Sequence, residues 1–204
     1  VILFCVFAIA EAYPQQRDSN TSSVDLINTD FTVVDINLRE YMELEIGNSI
    51  DGEVHVLEIQ HGEYKNAVSI STTVRNDSLL IRDFQNFNFS FPQDKLSAHK
   101  VIDARMRLLL PPGKSLIINT RSAVLLISGA FNDLYINQFS GKCKVIDLTG
   151  NFNFTSIYAD VIFKAPHYRI DYATQRKSLT TKFTKQPAKF IAQIETIHGG
   201  ISLK

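Results

Sequence analysis

From Ser115 to the C-terminus the chain is written in short units, and their length restricts what it can fold into. They read SLIINTRSA, VLLISGAFND, LYINQFSGK, CKVIDLTGN, FNFTSIYAD, VIFKAPHYR, IDYATQRKS, LTTKFTKQPA, KFIAQIETIHG and GISLK, spaced nine to eleven residues apart. Each opens on an apolar strand-like run. Nine residues hold a short strand and a tight corner, whereas a strand–helix–strand unit needs about 30. Two architectures remain. One is an antiparallel meander closing as a sandwich or barrel. The other is a β-solenoid with about two such units per coil.

Corner chemistry favours the solenoid. Ile127-Ser128-Gly129, Phe139-Ser140-Gly141 and Leu148-Thr149-Gly150 repeat an apolar–hydroxyl–glycine corner, and Ile197-His198-Gly199 is a fourth version with His in the hydroxyl position. Glycine supplies the positive φ of a sharp corner, and the hydroxyl can bond the local backbone. Stacked coils need one corner geometry repeated at near-constant spacing. The first half is also strand-like, with β-branched or alternating runs at 31–36, 53–59, 67–74 and 78–81. Asp51-Gly52 and His61-Gly62 punctuate them as turns. Residues 83–98, rich in Phe, Asn and Gln and carrying Pro92, read as an irregular loop. Residues 38–46 are the only short helical candidate. The expected fold is therefore all-β: a parallel β-solenoid, with an antiparallel β-sandwich as the alternative.

The N-terminus predicts a compartment. Residues 1–10, VILFCVFAIA, are uncharged and too short to span a bilayer. They fit the apolar core of a secretory signal, and Ala10-Glu11-Ala12 fits its cleavage rule, so cleavage is expected after Ala12. The basic segment that opens such a signal is expected to precede Val1. Residues 13–23 read as a flexible polar leader, and 24–204 as a single β-rich domain. No later run reaches the 18 apolar residues of a membrane span. Four sequons, at Asn20, Asn76, Asn88 and Asn153, support export and are candidate N-glycosylation sites. After cleavage Cys143 is the only cysteine, either a buried inert thiol or the site of an intermolecular disulfide.

Two segments carry a family resemblance. Ala104-Arg105-Met106-Arg107-Leu108-Leu109-Leu110-Pro111-Pro112-Gly113-Lys114-Ser115-Leu116-Ile117-Ile118-Asn119-Thr120 resembles a strand, an "lPxg" turn and a second strand. Ile194-Glu195-Thr196-Ile197-His198-Gly199-Gly200-Ile201-Ser202-Leu203-Lys204 resembles a "v-e-t-v-S-G-d-i-x-l" unit. Both are typical of the adhesin-type β-solenoid domain of bacterial surface and secreted proteins, which also has animal members. The resemblance covers roughly residues 53–204. It departs from the pattern at His198 for Ser, at Gly200 for Asp, and in glycine-poor corners between 152 and 188. It implies a right-handed solenoid and brings no catalytic residues.

Little in the sequence points to catalysis. The histidines (His55, His61, His99, His167, His198) show no zinc-enzyme spacing, and no nucleophile elbow or phosphate loop is present. No metal site or cofactor is expected. Asp147, Asp160 and Asp171 fall in successive units and would stack on one face, within the separation a glycosidase needs, although corner or surface aspartates are the plainer reading.

Charge is segregated although the net charge is zero. Residues 18–63 carry eleven acids against one base, Arg39. Residues 164–204 carry eight bases against two acids; seven of the bases, Lys164, Arg169, Arg176, Lys177, Lys182, Lys185 and Lys189, form a candidate basic patch. A zero balance argues against a dedicated nucleic-acid binder. The expected function is a secreted extracellular glycoprotein with a structural or adhesive, non-catalytic role, as in cuticle, mucus or a skeletal matrix. Its partners would be an extracellular polymer, glycan or mineral surface, or further copies of itself. The alternatives are a polysaccharide-active enzyme and a soluble secreted binder.

Overall fold

Alternation of apolar and polar residues becomes alternation of buried and exposed ones along nearly every strand. The computed structural model describes residues 19–26, 30–62, 64–89, 102–175, 179–181 and 187–204. In β2 (Val33–Leu38), Val34, Ile36 and Leu38 point inward while Val33, Asp35 and Asn37 face outward. In β3 (Glu43–Asn48), Leu44 and Ile46 are the buried pair. β7 (Asp103–Leu110) buries Ala104, Met106, Leu108 and Leu110. Each Ile or Leu taken fully out of water contributes about 1.5–3 kcal/mol. These residues and their counterparts on the other strands form one continuous core.

The remaining strands are β1 (Ser19–Leu26), β4 (Val54–His61), β5 (Val68–Arg75), β6 (Ser78–Gln85), β8 (Ser115–Ser156), β9 (Asp160–Lys164), β10 (Tyr168–Thr174), β11 (Leu179–Thr181), β12 (Phe190–Thr196) and β13 (Ile201–Leu203). All thirteen belong to one sheet, whose main path runs β1-β4-β7-β3-β8-β2-β6-β5. Strands β9 to β13 attach to β8 and to one another.

The 42-residue β8 is the centre of this arrangement. It turns at Gly129, Gly141 and Gly150, all with positive φ, as the apolar–hydroxyl–glycine corners predict. Residues 18 apart along it lie side by side. Asn137 Nδ2 donates to Asn119 Oδ1 at 3.2 Å, Asn151 Nδ2 to Asp133 Oδ1 at 3.0 Å, and the Asn132 N–H to the Lys114 carbonyl at 3.0 Å. Its first residues pair in parallel with β2, Val33 to Ser115 through Leu38 to Thr120, and residues 124–127 pair with β3. Asn48 stitches this corner: its Oδ1 accepts from the Ala130 N–H at 2.6 Å, and its Nδ2 reaches the Leu110 and Ala130 carbonyls at 3.3 Å.

The structure corrects the expectation of a parallel solenoid. The chain is all-β, with no helix among the described residues, but the sheet is mixed. β1 with β4, β4 with β7, and β5 with β6 are antiparallel. The antiparallel alternative is thus closer for these parts. The reason is local: the Asn76-Asp77 turn, both residues with positive φ, closes β5 onto β6 as a hairpin. The short helical candidate at 38–46 is strand, corner and strand; Asp83 Oδ2 accepts from the Arg39 and Glu40 N–H groups, each at 2.7 Å, and holds that corner. The segment expected to be a flexible leader ends in order, since residues 19–23 belong to β1. The expected irregular loop is strand as far as Gln85 and then a turn; residues 90–98 lie outside the described ones, as do residues 1–18 with the predicted signal and its cleavage point.

Fourth-corner chemistry also differs from expectation. At Ile197-His198-Gly199 the hydroxyl that bonds the corner belongs to Thr196, whose Oγ1 accepts from the Gly199 N–H at 3.0 Å. Ser156 does the same for the Ala159 N–H at 2.7 Å. Gly199 does not adopt positive φ; a side chain there would overlap the Ala159 carbonyl.

Candidate functional site: a polar groove at one corner of the sheet

Lateral register builds a site that no single segment contains. β2 lies beside the start of β8, and β8 returns every 18 residues, so three columns form at one corner. The first holds Asn37, Asn119, Asn137 and Thr155. The second holds Leu38, Thr120, Gln138 and Ser156. The third holds Arg39, Arg121, Phe139 and Ile157. Together these twelve residues line an open groove of about 650 Å³.

The floor is polar yet buried. Thr120 is 9% exposed, Gln138 2%, Ser156 5%, and Thr196, paired with Ser156, 3%. A buried polar atom is costly unless it is hydrogen-bonded. Ser156 Oγ meets this demand by accepting from the Ala159 N–H. Gln138 meets it in part: its Nε2 donates to the Ala123 carbonyl at 2.6 Å and to the Ser140 carbonyl at 2.9 Å, which fixes the side chain. Its Oε1 and the Thr120 hydroxyl have no partner among the described residues.

One wall is charged at one end and aromatic at the other, and the opposite wall is the column of Asn37, Asn119, Asn137 and Thr155. Arg39 and Arg121 are exposed and follow the paired Leu38 and Thr120. Neither guanidinium pairs with a carboxylate among the described residues. Phe139 and Tyr158 stand half in solvent, 49% and 51% exposed, with ring centroids 5.4 Å apart edge to face. Tyr158 in turn stacks on His198 at 5.2 Å, extending the aromatic row beyond the groove. The arrangement offers donors, acceptors, cations and ring faces, with no nucleophile–base pair among the groove residues.

The sequence-predicted sites are scattered. Asn76 is exposed in the β5–β6 turn and Asn88 is exposed in the turn after β6. Asn153 is half-buried, and its Nδ2 donates to Gln193 Oε1 at 2.9 Å, so its nitrogen is engaged. Asn20 lies in β1, with its side chain outside the described residues. Cys143 is fully buried, and burial pushes its thiol above the usual range, the inert alternative of the two. Of the basic patch, Arg176, Lys177, Lys182 and Lys185 lie outside the described residues. Lys164 is exposed, Arg169 sits 3.6 Å from Asp171, and Lys189 lies over the Phe190 ring at 5.3 Å. The three aspartates do not stack. Asp160 pairs across to Lys142 and accepts from the Gly200 N–H at 2.7 Å; Asp171 pairs across to Gln193; Asp147 is an exposed corner residue with positive φ. Different columns carry them because β9 and β10 attach to different neighbours.

One further cluster, Asp51, Glu53 and His55, brings three ligand-type atoms within 4.8 Å of one another. A local turn explains it: Asp51 Oδ1 accepts from the Glu53 N–H at 3.0 Å, and Asp51 Oδ2 meets His55 Nε2 at 2.8 Å. The Glu53 N–H, then the His55 ring, hold the Asp51 carboxyl below its usual range. The groove itself is not announced by any motif. The faint signal was the 18-residue recurrence of Asn119 and Asn137; Asn37 and Arg39 have no such mark.

The sequence matches no family profile and no curated protein. Among solved structures, the fold is similar to that of a proposed cell adhesion protein from Clostridium sporogenes, with TM-score 0.62 and 11% identity over 92% of this chain and 99% of that one. A proposed adhesin from Bacteroides fragilis gives TM-score 0.39 at 11% identity, covering 91% and 97% of the two chains. The first of these shows a shared fold. Among the described residues no helix is long and apolar enough to cross a membrane.

Proposed function

We propose that the protein is an extracellular, non-catalytic adhesive or structural glycoprotein that holds a polymer along the corner groove. The groove carries this reading. It runs across four laterally paired segments, so it presents a repeated set of polar groups at the spacing of strands, about 4.8 Å. Such a surface suits an extended partner better than a compact one. An apolar N-terminal segment followed by a small-x-small site supports export after Ala12, and the exposed Asn76 and Asn88 sequons are the better candidates for glycosylation. The shared fold with a proposed cell adhesion protein agrees with this role. An extracellular matrix is the setting in which a repeated, polymer-sized groove has an obvious partner.

The test is peptide mass spectrometry on the source organism's secretions, comparing soluble fluid with washed insoluble material. Peptides beginning at Tyr13 and concentrated in the insoluble fraction are expected. Peptides confined to soluble fluid would overturn the matrix setting and favour a soluble secreted binder.

A further inference from the structure

We infer that the corner groove binds a linear acidic glycan, a sugar chain carrying carboxylates or sulfates, with its anionic groups on Arg39 and Arg121. The inference rests on the adhesive reading and deepens it by naming the ligand.

Four observations converge. Arg39 follows Leu38 at the end of β2 and Arg121 follows its partner Thr120 on β8, strands about 4.8 Å apart, and like charges so placed repel. No carboxylate among the described residues pairs with either. Asp83, the acid at the Arg39 corner, has Oδ2 committed to the Arg39 and Glu40 N–H groups. An anion bridging two guanidinium groups would turn this repulsion into attraction, and the guanidinium fork matches carboxylate and sulfate oxygens.

The amide wall supplies what hydroxyl groups need. Asn119 and Asn137 are linked through one amide hydrogen bond and keep further donor and acceptor capacity, with Asn37 and Thr155 in the same column.

The aromatic end of the arginine wall favours sugar over peptide. Phe139 and Tyr158 present half-exposed rings fixed edge to face, a surface on which the C–H face of a pyranose can lie. A sugar ring is about as long as the ~4.8 Å strand spacing, so successive residues of a chain can keep step with successive strands. The opposite end carries Glu195, paired with Thr155, which disfavours an anion there. The ligand's charge is therefore placed at the Arg39–Arg121 end.

The test titrates the purified chain with four probes of similar length: a hexagalacturonate, a heparin hexasaccharide, cellohexaose and hexaglutamate. Tight binding of at least one acidic hexasaccharide is expected, with cellohexaose and hexaglutamate at least tenfold weaker. The relative affinities of the hexagalacturonate and the heparin hexasaccharide distinguish carboxylate from sulfate. The R39Q/R121Q variant should lose at least tenfold for the acidic glycan and show a shallower salt dependence, and F139A should lose severalfold. A wild-type measurement covers the case of a misfolded variant: the acidic hexasaccharide should protect Arg39 and Arg121, and not Arg107, from phenylglyoxal. Equal binding by the double variant, equal binding of hexaglutamate or cellohexaose, absence of arginine protection, or no glycan binding at all would each overturn the assignment. Retention on washed insoluble matrix without acidic-glycan binding would overturn the groove assignment alone. Arginine-dependent glycan binding by a protein found only in soluble fluid would overturn the matrix reading alone.

Discussion

Single residues set the corner geometry on which the groove depends. Gly141 and Gly150 have φ of 106° and 122°, and a side chain at either would overlap a backbone carbonyl, that of Ala123 or Phe131. Both contacts are to residues 18 or 19 positions earlier on β8, so the glycine is required by the close approach of the chain to itself as well as by the turn. Gly150→Ala should cost about 2–4 kcal/mol, combining the strain of a disfavoured backbone with displacement of the neighbouring strand. Urea denaturation of the variant beside wild type would show this as a lower midpoint. An unchanged midpoint would mean that these two stretches of β8 are not packed at that distance.

At the level of elements, β4 is tied down by a polar network as well as by its ladder. The buried Tyr41 hydroxyl donates to Glu58 Oε1, which also accepts from Gln60 Nε2. Gln60 continues to the Val68 carbonyl at 2.8 Å and accepts from the Asn66 N–H at 2.8 Å. The network thus joins the corner before β3 to β4 and to the start of β5. Burial first, and then the Glu58 carboxylate, push the Tyr41 phenol far above its usual range; burial does the same for Tyr168, whose hydroxyl donates to the Gly150 carbonyl at 2.6 Å. A phenol whose pKa is raised on folding contributes stability that is fully present below about pH 10 and is lost as the pH climbs toward the folded value. The protein should therefore lose stability steeply above about pH 10. Tyr41→Phe should cost about 1.5–3 kcal/mol at neutral pH, where a hydrogen bond to a charged group is lost, and should flatten part of the alkaline decline. Denaturant midpoints of both proteins from pH 7 to 11 test the sign. Parallel curves across that range would show that Tyr41 does not titrate on unfolding.

Across the whole molecule, stability should grade outward from β8. That strand pairs with β2, β3, β9 and β12, and its inward residues lie within the single core. By contrast β5 and β1 end the main path, and each pairs with a single strand. Local opening is least costly where backbone bonds face solvent and few neighbours pack. Amide hydrogen exchange should therefore be slowest along β8 and its immediate partners and fastest in β5, β1 and β10. Uniform protection would indicate all-or-none opening of the whole sheet. The groove lies against β8, so its columns stand on the part expected to open last, as the proposed preformed site would require.

Much of this was legible without coordinates, because it is local. A period of two makes strands, and Ser128-Gly129, Ser140-Gly141 and Thr149-Gly150 make corners, whatever lies beside them. The buried set Val34, Ile36, Leu116, Ile118, Leu134 and Ile136 follows from alternation alone. What alternation does not encode is the neighbour. A strand that alternates can pair on either side and in either direction, so the antiparallel placement of β4 against β7 and β1 had no sequence mark. The same holds for function. Arg39 and Arg121 become a pair only because β2 lies against the start of β8, in a register set by burying Ile36 beside Ile118. Amino-acid order alone determined that this chain would be a β protein with glycine corners and one core. Tertiary packing decided which polar residues meet at the corner, because long-range strand register is fixed by the whole core and by no segment of it.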